Sequence, residues 1–234
     1  MTRAACLLAL DTSTHCMSVA LTHGGRTWQR EGEGGALASQ HLLPMIDAVL
    51  REAGVTPPQL DAVAYGCGPG AFTGLRTACA TAQGLAFAWR KPVIGVSSLQ
   101  ALADEAASAG GAGPWLCALD ARMGEVYWAT YMPSPQGEFS LSALYLTKPQ
   151  EVAAPAGHWA GCGNAWAAPE LAPHLPTPPG GVRAALPTAR WMLPAALAAW
   201  SRGQALDATR AEPLYVRNKV AQTTAERMAQ GAAR

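Results

Sequence analysis

Two aspartates stand where a carboxylate could take part in chemistry. Asp11 ends the apolar run 5–11 and Asp120 ends the apolar run 115–119, and each is followed by a turn and another strand-like segment. Carboxylates at strand ends that face turns could hold a magnesium–phosphate group. The alternative is an Asx turn, in which the carboxylate accepts amides of its own turn. The residues themselves favour the Asx turn for Asp11 and leave the nucleotide contact open.

Other signatures of catalysis are missing from the sequence. The five histidines form no H-E-x-x-H motif and no i, i+4 pair, which argues against a zinc hydrolase. No G-x-S-x-G nucleophile elbow occurs. The six cysteines contain no C-x-x-C pair and are typical of buried free thiols in a reducing compartment. The sequence therefore offers few groups for catalysis.

A glycine-rich loop runs into a long helix of small residues at 65–89. No lysine follows Gly74, so the loop is not a Walker A motif, and it fits the dinucleotide motif no better. We expect Thr73 to cap the helix. Gly74, Ala78 and Ala82 recur every four residues, which gives one face without large side chains. This pattern predicts a tight loop that leads into a docking helix.

A second amphipathic helix is predicted over Ser39–Ala53. Leu42 and Ile46 belong to an apolar series with helical spacing. Gly54 is suited to end the helix in a left-handed conformation. Pro44 lacks a backbone N–H, so we expect it in the first turn or at a kink.

Strand and helix patterns alternate along most of the chain, which predicts an α/β fold. Three strands come first, followed by helix, strand, helix, strand and helix, and this order implies mixed sheets flanked by helices. The strand–turn–strand pattern that opens the chain occurs a second time and indicates an internal duplication. A glycine-rich stretch suggests lobes at 1–109 and 110–217, with a polar tail at 218–234.

Composition excludes several classes of protein. The 234 residues are 50% hydrophobic, enough for a sizeable core, and the net charge of +1 gives no nucleic-acid-binding footprint. No leader peptide and no membrane-spanning run is apparent. We expect a soluble cytoplasmic protein.

The chain resembles the TsaB family, formerly grouped with the glycoprotease-like proteins, in five motifs. They are ALDTST at 9–14, SQHLLPMI at 39–46, YGCGPGAFTGLR at 65–76, IGVSSLQALA at 94–103 and EPLYVR at 212–217. The match covers most of the first half and the end of the chain. Its most specific part is GPG-x-FTG-x-R.

The resemblance implies an actin-like (ASKHA) ATPase-domain fold of two lobes. It implies a role in making threonylcarbamoyladenosine beside the anticodon of tRNAs that read codons starting with A. In the family, this protein is the non-catalytic partner of TsaD, which holds the metal and transfers the threonylcarbamoyl group, and an ATPase, TsaE, joins them. We therefore expect no cofactor on this chain, ATP and a divalent metal on the partner subunits, and tRNA contact through the complex.

The resemblance also implies a partner interface on the two long helices. Its predicted residues are Leu42, Leu43 and Ile46 as anchors, with Gly74, Ala78 and Ala82 as the surface of close approach. The alternative for both helices is the covering of the chain's own sheet, because each helix must bury one face. A homodimer on the same helices is possible when the partner is absent.

Two departures from the catalytic pattern agree with an inactive lobe. The actin-like phosphate turn usually reads D-x-G-T, and Ser13 takes the place of its glycine, so Asp11, Thr12 and Ser13 would form a vestigial nucleotide turn. The paired metal histidines of TsaD also have no counterpart, because Met45 stands four residues after His41. The rival hypotheses are an actin-like enzyme that uses ATP itself and, less favoured, a glycopeptidase.

Overall fold

Two sheets form the body of the molecule. The computed structural model describes residues 4–110, 113–133, 139–141 and 143–217, and the predicted tail at 218–234 lies outside them. The first sheet contains β1 (Leu7–Asp11), β2 (Cys16–His23), β3 (Arg26–Glu33), β4 (Ala62–Gly68) and β5 (Val93–Ser97). The second contains β6 (Trp115–Asp120), β7 (Val126–Pro133), β8 (Phe139–Leu141), β9 (Tyr145–Thr147), β10 (Ala160–Cys162) and β11 (Val182–Arg183).

The two sheets repeat one topology. The first has the order β3-β2-β1-β4-β5, and the second has the order β11-β10-β6-β7-β8, with β9 also paired to β7. In each sheet the central strand runs antiparallel to the strand that follows it and parallel to a later one, β4 for β1 and β10 for β6. The predicted duplication and the mixed α/β sheets are therefore confirmed.

Four helices cover the first sheet and join it to the second. They are α1 (Ala38–Ala53), α2 (Phe72–Trp89), α3 (Ser98–Ser108) and α4 (Ala189–Ser201). Side chains alternate along β1, so Leu8 and Leu10 face α1 and α2 while Leu7 and Ala9 face α4. α3 packs mainly against the second sheet. The predicted boundary near residue 110 separates the strands of the two sheets, but α4 returns to the first sheet from the later part of the chain.

The predicted end of α1 is confirmed, whereas the predicted start of α2 is wrong. Gly54 ends α1 at φ 65°, as predicted, and its N–H donates to the carbonyls of Arg51 and Leu50. Pro44 lies inside α1 on its exposed side. The predicted cap at Thr73 is wrong: α2 begins at Phe72, and Thr73 lies in its first turn. The start of α2 is instead held by a contact distant in sequence, described below.

Among the described residues, no helix is both long enough and apolar enough to cross a lipid bilayer.

Candidate functional site

The turn after β1 holds its carboxylate inside the protein. Asp11 is fully buried, and its Oδ1 accepts hydrogen bonds from the Ser13 backbone N–H at 3.0 Å and from the Ser13 hydroxyl at 2.8 Å. Its Oδ2 has no hydrogen-bond partner. Burial raises the pKa of the Asp11 carboxyl from 3.8 to about 6, and the bonds from Ser13 oppose that rise. This is the Asx turn that the sequence favoured.

The loop before α2 closes over the same turn. The Thr12 hydroxyl donates to the Gly74 carbonyl at 2.6 Å, and the Ala71 N–H donates to the Ser13 carbonyl at 2.7 Å. A Cβ on Gly74 would lie 1.9 Å from the Thr12 carbonyl oxygen. A Cβ on Gly66 would lie 1.8 Å from Asp11 Oδ2. Backbone therefore packs tightly against Asp11 at Gly66 and against Thr12 at Gly74, and the two glycines are required by close approach.

The corresponding turn after β6 is open. Asp120 Oδ1 accepts the Arg122 backbone N–H at 2.7 Å, and its Oδ2 lies 3.3 Å from the Arg122 guanidinium, which is largely exposed. The Asp120 backbone N–H donates to Asn164 Oδ1 at 2.9 Å. Asp120 is therefore held both within its own turn and by Asn164, 44 residues later in the chain, and its side chain stays 10% exposed.

A cleft of about 250 Å³ lies between the two turns. It is lined by Ser13, Thr14, His15, Gly35, Gly70, Ala71, Leu119, Asp120, Ala121, Arg122, Tyr127 and Asn164. Asp120 faces this cleft, whereas Asp11 does not contribute to its walls. The structure thus does not bring the two predicted carboxylates to a shared site. Among the residues that it describes, no three metal-ligating side chains cluster.

Five of the six predicted interface residues lie in the chain's own core. Leu42 and Ile46 of α1 and Ala78 and Ala82 of α2 face the first sheet, and Gly74 packs on the turn at Thr12; all five are buried. Only Leu43 is exposed, with 53% of its surface accessible. Helical spacing correctly placed the residues of each helix on one face, but in both helices that face points into the core. A partner interface on these helices stays a prediction.

The outward side of α2 carries a second row of small residues that the sequence reasoning did not select. We call it the outer ridge: Thr73, Thr77, Ala80, Gly84 and Ala88, which range from half-buried to exposed. A Cβ on Gly84 would meet nothing within 4 Å. Phe87 stands beside the ridge with 72% of its surface accessible. The spacing of these small residues in the sequence could have indicated this second face, because they also recur every three or four residues.

Comparison with known proteins gives relatives that extend over almost the whole chain. TsaB proteins named for tRNA threonylcarbamoyladenosine biosynthesis match it from Escherichia coli, at 37% identity over 92% of this chain and 96% of the relative, and from Haemophilus influenzae, at 35% identity over 92% and 94%. The chain belongs to the TsaB family.

Structures and a family model agree with that membership. YeaZ from Pseudomonas aeruginosa superposes with a TM-score of 0.84 at 44% identity, and the match covers 90% of this chain and 99% of YeaZ. The model of TsaD, the tRNA N6-adenosine threonylcarbamoyltransferase, matches residues 36–137. The match to a TsaD-family model and the doubled sheet topology confirm the expected actin-like fold of two lobes.

Proposed function

We propose that this chain serves the formation of threonylcarbamoyladenosine in tRNA as a non-catalytic subunit that docks and activates a TsaD-like transferase. The process is the one for which its curated relatives are named. The sealed state of Asp11 carries the non-catalytic part of the proposal. A carboxylate that helps a metal–nucleotide complex must reach it, whereas Asp11 is fully buried and the backbone of Gly66 lies against its Oδ2.

The outer ridge supports the docking part of the proposal. Small side chains along one helix face allow a second helix to come close, and Gly84 leaves its side of the ridge open. Leu43 on α1 and Phe87 on α2 supply exposed apolar surface beside it. Buried apolar anchors surrounded by near-neutral contacts are typical of protein interfaces. When no partner is present, we expect the same face to pair two copies of this chain.

The remaining components follow from this assignment as proposals. We assign ATP and the divalent metal to the partner subunits, including a TsaE-like ATPase, and no cofactor to this chain. tRNA would be contacted through the assembled complex, in the cytoplasm, where tRNA is modified.

The proposal is tested by assembling the complex from purified subunits. We expect threonylcarbamoyl transfer to tRNA only when this chain and a TsaD-like subunit are combined with the ATPase. We expect no ATP–magnesium heat from this chain alone at millimolar concentration. Transfer or nucleotide binding by the isolated chain would instead favour the rival hypothesis of an ATP-using enzyme, and Asp120 in the open cleft would be its first candidate residue.

A matched pair of variants at one ridge position tests the docking face. Gly84→Glu places a charge on the ridge, and we expect it to weaken partner binding at least about a hundredfold, because an unpaired charge would be desolvated. Gly84→Ala is the control, since it makes a similar gain in helix propensity without the charge. Both monomers should remain folded. Tight partner binding by the glutamate variant would exclude the ridge as the interface.

A further inference from the structure

The segment Glu212–Arg217, which we call the strap, crosses from one lobe to the other. Its first half is bound to the end of β4. The Tyr65 hydroxyl accepts the Glu212 N–H at 3.0 Å and lies 3.1 Å from the Glu212 carbonyl, to which it can donate. The Leu214 N–H donates to the Cys67 carbonyl at 2.7 Å. These bonds attach the strap to the end of β4, directly before the loop that leads into α2.

The middle of the strap rests on the first turns of α2. Arg76 Nε donates to the Tyr215 hydroxyl at 2.9 Å, and the Arg76 guanidinium carbon lies 3.9 Å from the centre of the Phe72 ring. The rings of Phe72 and Tyr215 are 5.5 Å apart between centres. Arg76 therefore links the strap to the helix that carries the outer ridge, between the ridge positions Thr73 and Thr77.

The end of the strap is bound to the second lobe. Arg217 Nη2 lies 2.6 Å from Glu125 Oε2 and donates to the Ala121 carbonyl at 3.1 Å. The side chain of Arg217 is only 14% exposed and that of Glu125 29%. An ion pair so far removed from water leaves an unpaired charge when one partner is lost, which costs much more than a surface pair. Glu125 lies in the turn region that follows Asp120, and Arg217 contacts that region from the strap.

We propose that the strap is a latch that sets how the second lobe sits against α2, and that it links docking on the outer ridge to the arrangement of the two lobes. Its two ends hold different lobes, and its middle holds the helix on which the partner would dock. A shift of α2 on docking would move Arg76, and with it Tyr215 and the strap. The link to docking rests on the proposed function, whereas the latch itself rests on the contacts alone.

Hydrogen exchange of the isolated chain tests the latch without any partner. We expect Arg217→Ala to speed amide exchange at 121–127 and in the strap at least about tenfold while leaving β1 and β4 unchanged. Glu125→Gln, the milder variant, should give a smaller change at the same amides. Arg190→Ala is the control, because it removes an arginine that contacts Trp191 and Gln29 away from the strap. Unchanged exchange at 121–127, or the same change in the control, would overturn the latch.

A second measurement tests the link to the partner. Arg217→Ala should bind a TsaD-like subunit within about threefold of the wild type yet support less than about a tenth of the tRNA modification, whereas Gly84→Glu should lose binding itself. Restoration of part of the activity by Arg217→Lys would distinguish loss of the ion pair from general damage. Full activity of Arg217→Ala in the complex would break the link. A wild-type chain that binds no partner would overturn the proposed function and leave the exchange result standing.

Discussion

The two lobes use the same strand–turn–strand unit in opposite ways. In the first lobe the turn after β1 is buried, and backbone from the start of α2 presses on it. In the second lobe the turn after β6 lies at the cleft, and its aspartate is held by Arg122 and Asn164. Asp11 and Asp120 thus occupy equivalent positions in two related sheets, and each accepts the backbone N–H two residues later, but their other partners differ.

The difference shows that one topology can place its strand-end carboxylate in two environments. In the first lobe the carboxylate at the end of the central strand and its turn are part of the core. Its hydrogen bonds to Ser13 satisfy one oxygen, while the other is buried without a hydrogen-bond partner. Four substitutions would sharpen or break this contrast between a sealed turn and an open one.

The largest effect is expected where the first turn is sealed. Gly74→Ala would place a Cβ 1.9 Å from the Thr12 carbonyl oxygen, which is backbone and cannot swing away. We expect a loss of at least about 3 kcal/mol in the free energy of unfolding, measured in urea. Gly84→Ala on the same helix should gain about 1 kcal/mol, because its Cβ meets open space. A loss below about 1 kcal/mol for Gly74→Ala would contradict the tight seal.

The next effect is a dependence of stability on pH. The pKa of the Asp11 carboxyl is about 6 in the folded chain, against the ordinary value of 3.8 that we take for the unfolded chain, so the folded chain binds the proton more tightly. Its contribution to stability is full below pH 4 and is lost as the pH rises through 6, by up to about 3 kcal/mol.

The variant Asp11→Asn isolates this contribution. It should flatten the decline in stability between pH 4 and 7 relative to the wild type, as measured by denaturation at a series of pH values. Burial also raises the pKa of Asp104 to about 6, so part of the decline should persist in the variant. An identical pH profile for wild type and variant would show that Asp11 is not sealed as described.

A smaller effect is expected from the hydrogen bond that joins the turn to α2. Thr12→Val keeps the shape of the side chain but removes the donor to the Gly74 carbonyl. The Gly74 carbonyl also serves as a helical acceptor within α2, so the variant loses one buried hydrogen bond and leaves no orphaned acceptor; we expect a loss of about 1 kcal/mol, which thermal and urea unfolding can both resolve. No measurable loss would mean that this bond does not help to hold α2 on the turn.

The smallest effect is expected at the open turn. Arg122→Ala removes an ion pair with Asp120 whose arginine is 82% exposed. Although the Asp120 side chain is only 10% exposed, its Arg122 partner is solvated and Asp120 keeps the hydrogen bond from the Arg122 backbone N–H, so the free energy of unfolding should change by less than about 0.5 kcal/mol. If Arg122→Ala lowered the free energy of unfolding as much as Thr12→Val does, the side-chain contacts of the second turn would stabilise the fold as strongly as those of the first.

Local patterns in the sequence predicted the features that depend on local physics. Gly54 ends α1 because a residue without Cβ accepts a left-handed conformation, and the alternation in β1 follows from the pleat of the strand. The repeated strand–turn–strand pattern likewise predicted the second sheet. Each of these depends on neighbours within a few residues.

Features that depend on distant contacts could not be predicted in this way. α2 begins without help from Thr73 because Ala71 and Gly74 bind the turn at Thr12 and Ser13, sixty residues earlier in the chain. Periodicity placed Ala78 and Ala82 on one face of α2, but it carries no information on whether that face meets a sheet or a partner. Which face of α2 is buried against the sheet was therefore the part that needed a structure.

The position of α4 has a consequence for how the chain is made. Residues of α4 cover one whole face of the first sheet, and the Ala189 N–H donates to the Ser18 hydroxyl at 2.8 Å across 171 residues of sequence. During translation the first sheet must wait on the order of ten seconds for this cover, with Leu7 and Ala9 bare in the meantime. A fragment that stops before α4 should therefore leave this face of the first sheet exposed and should aggregate.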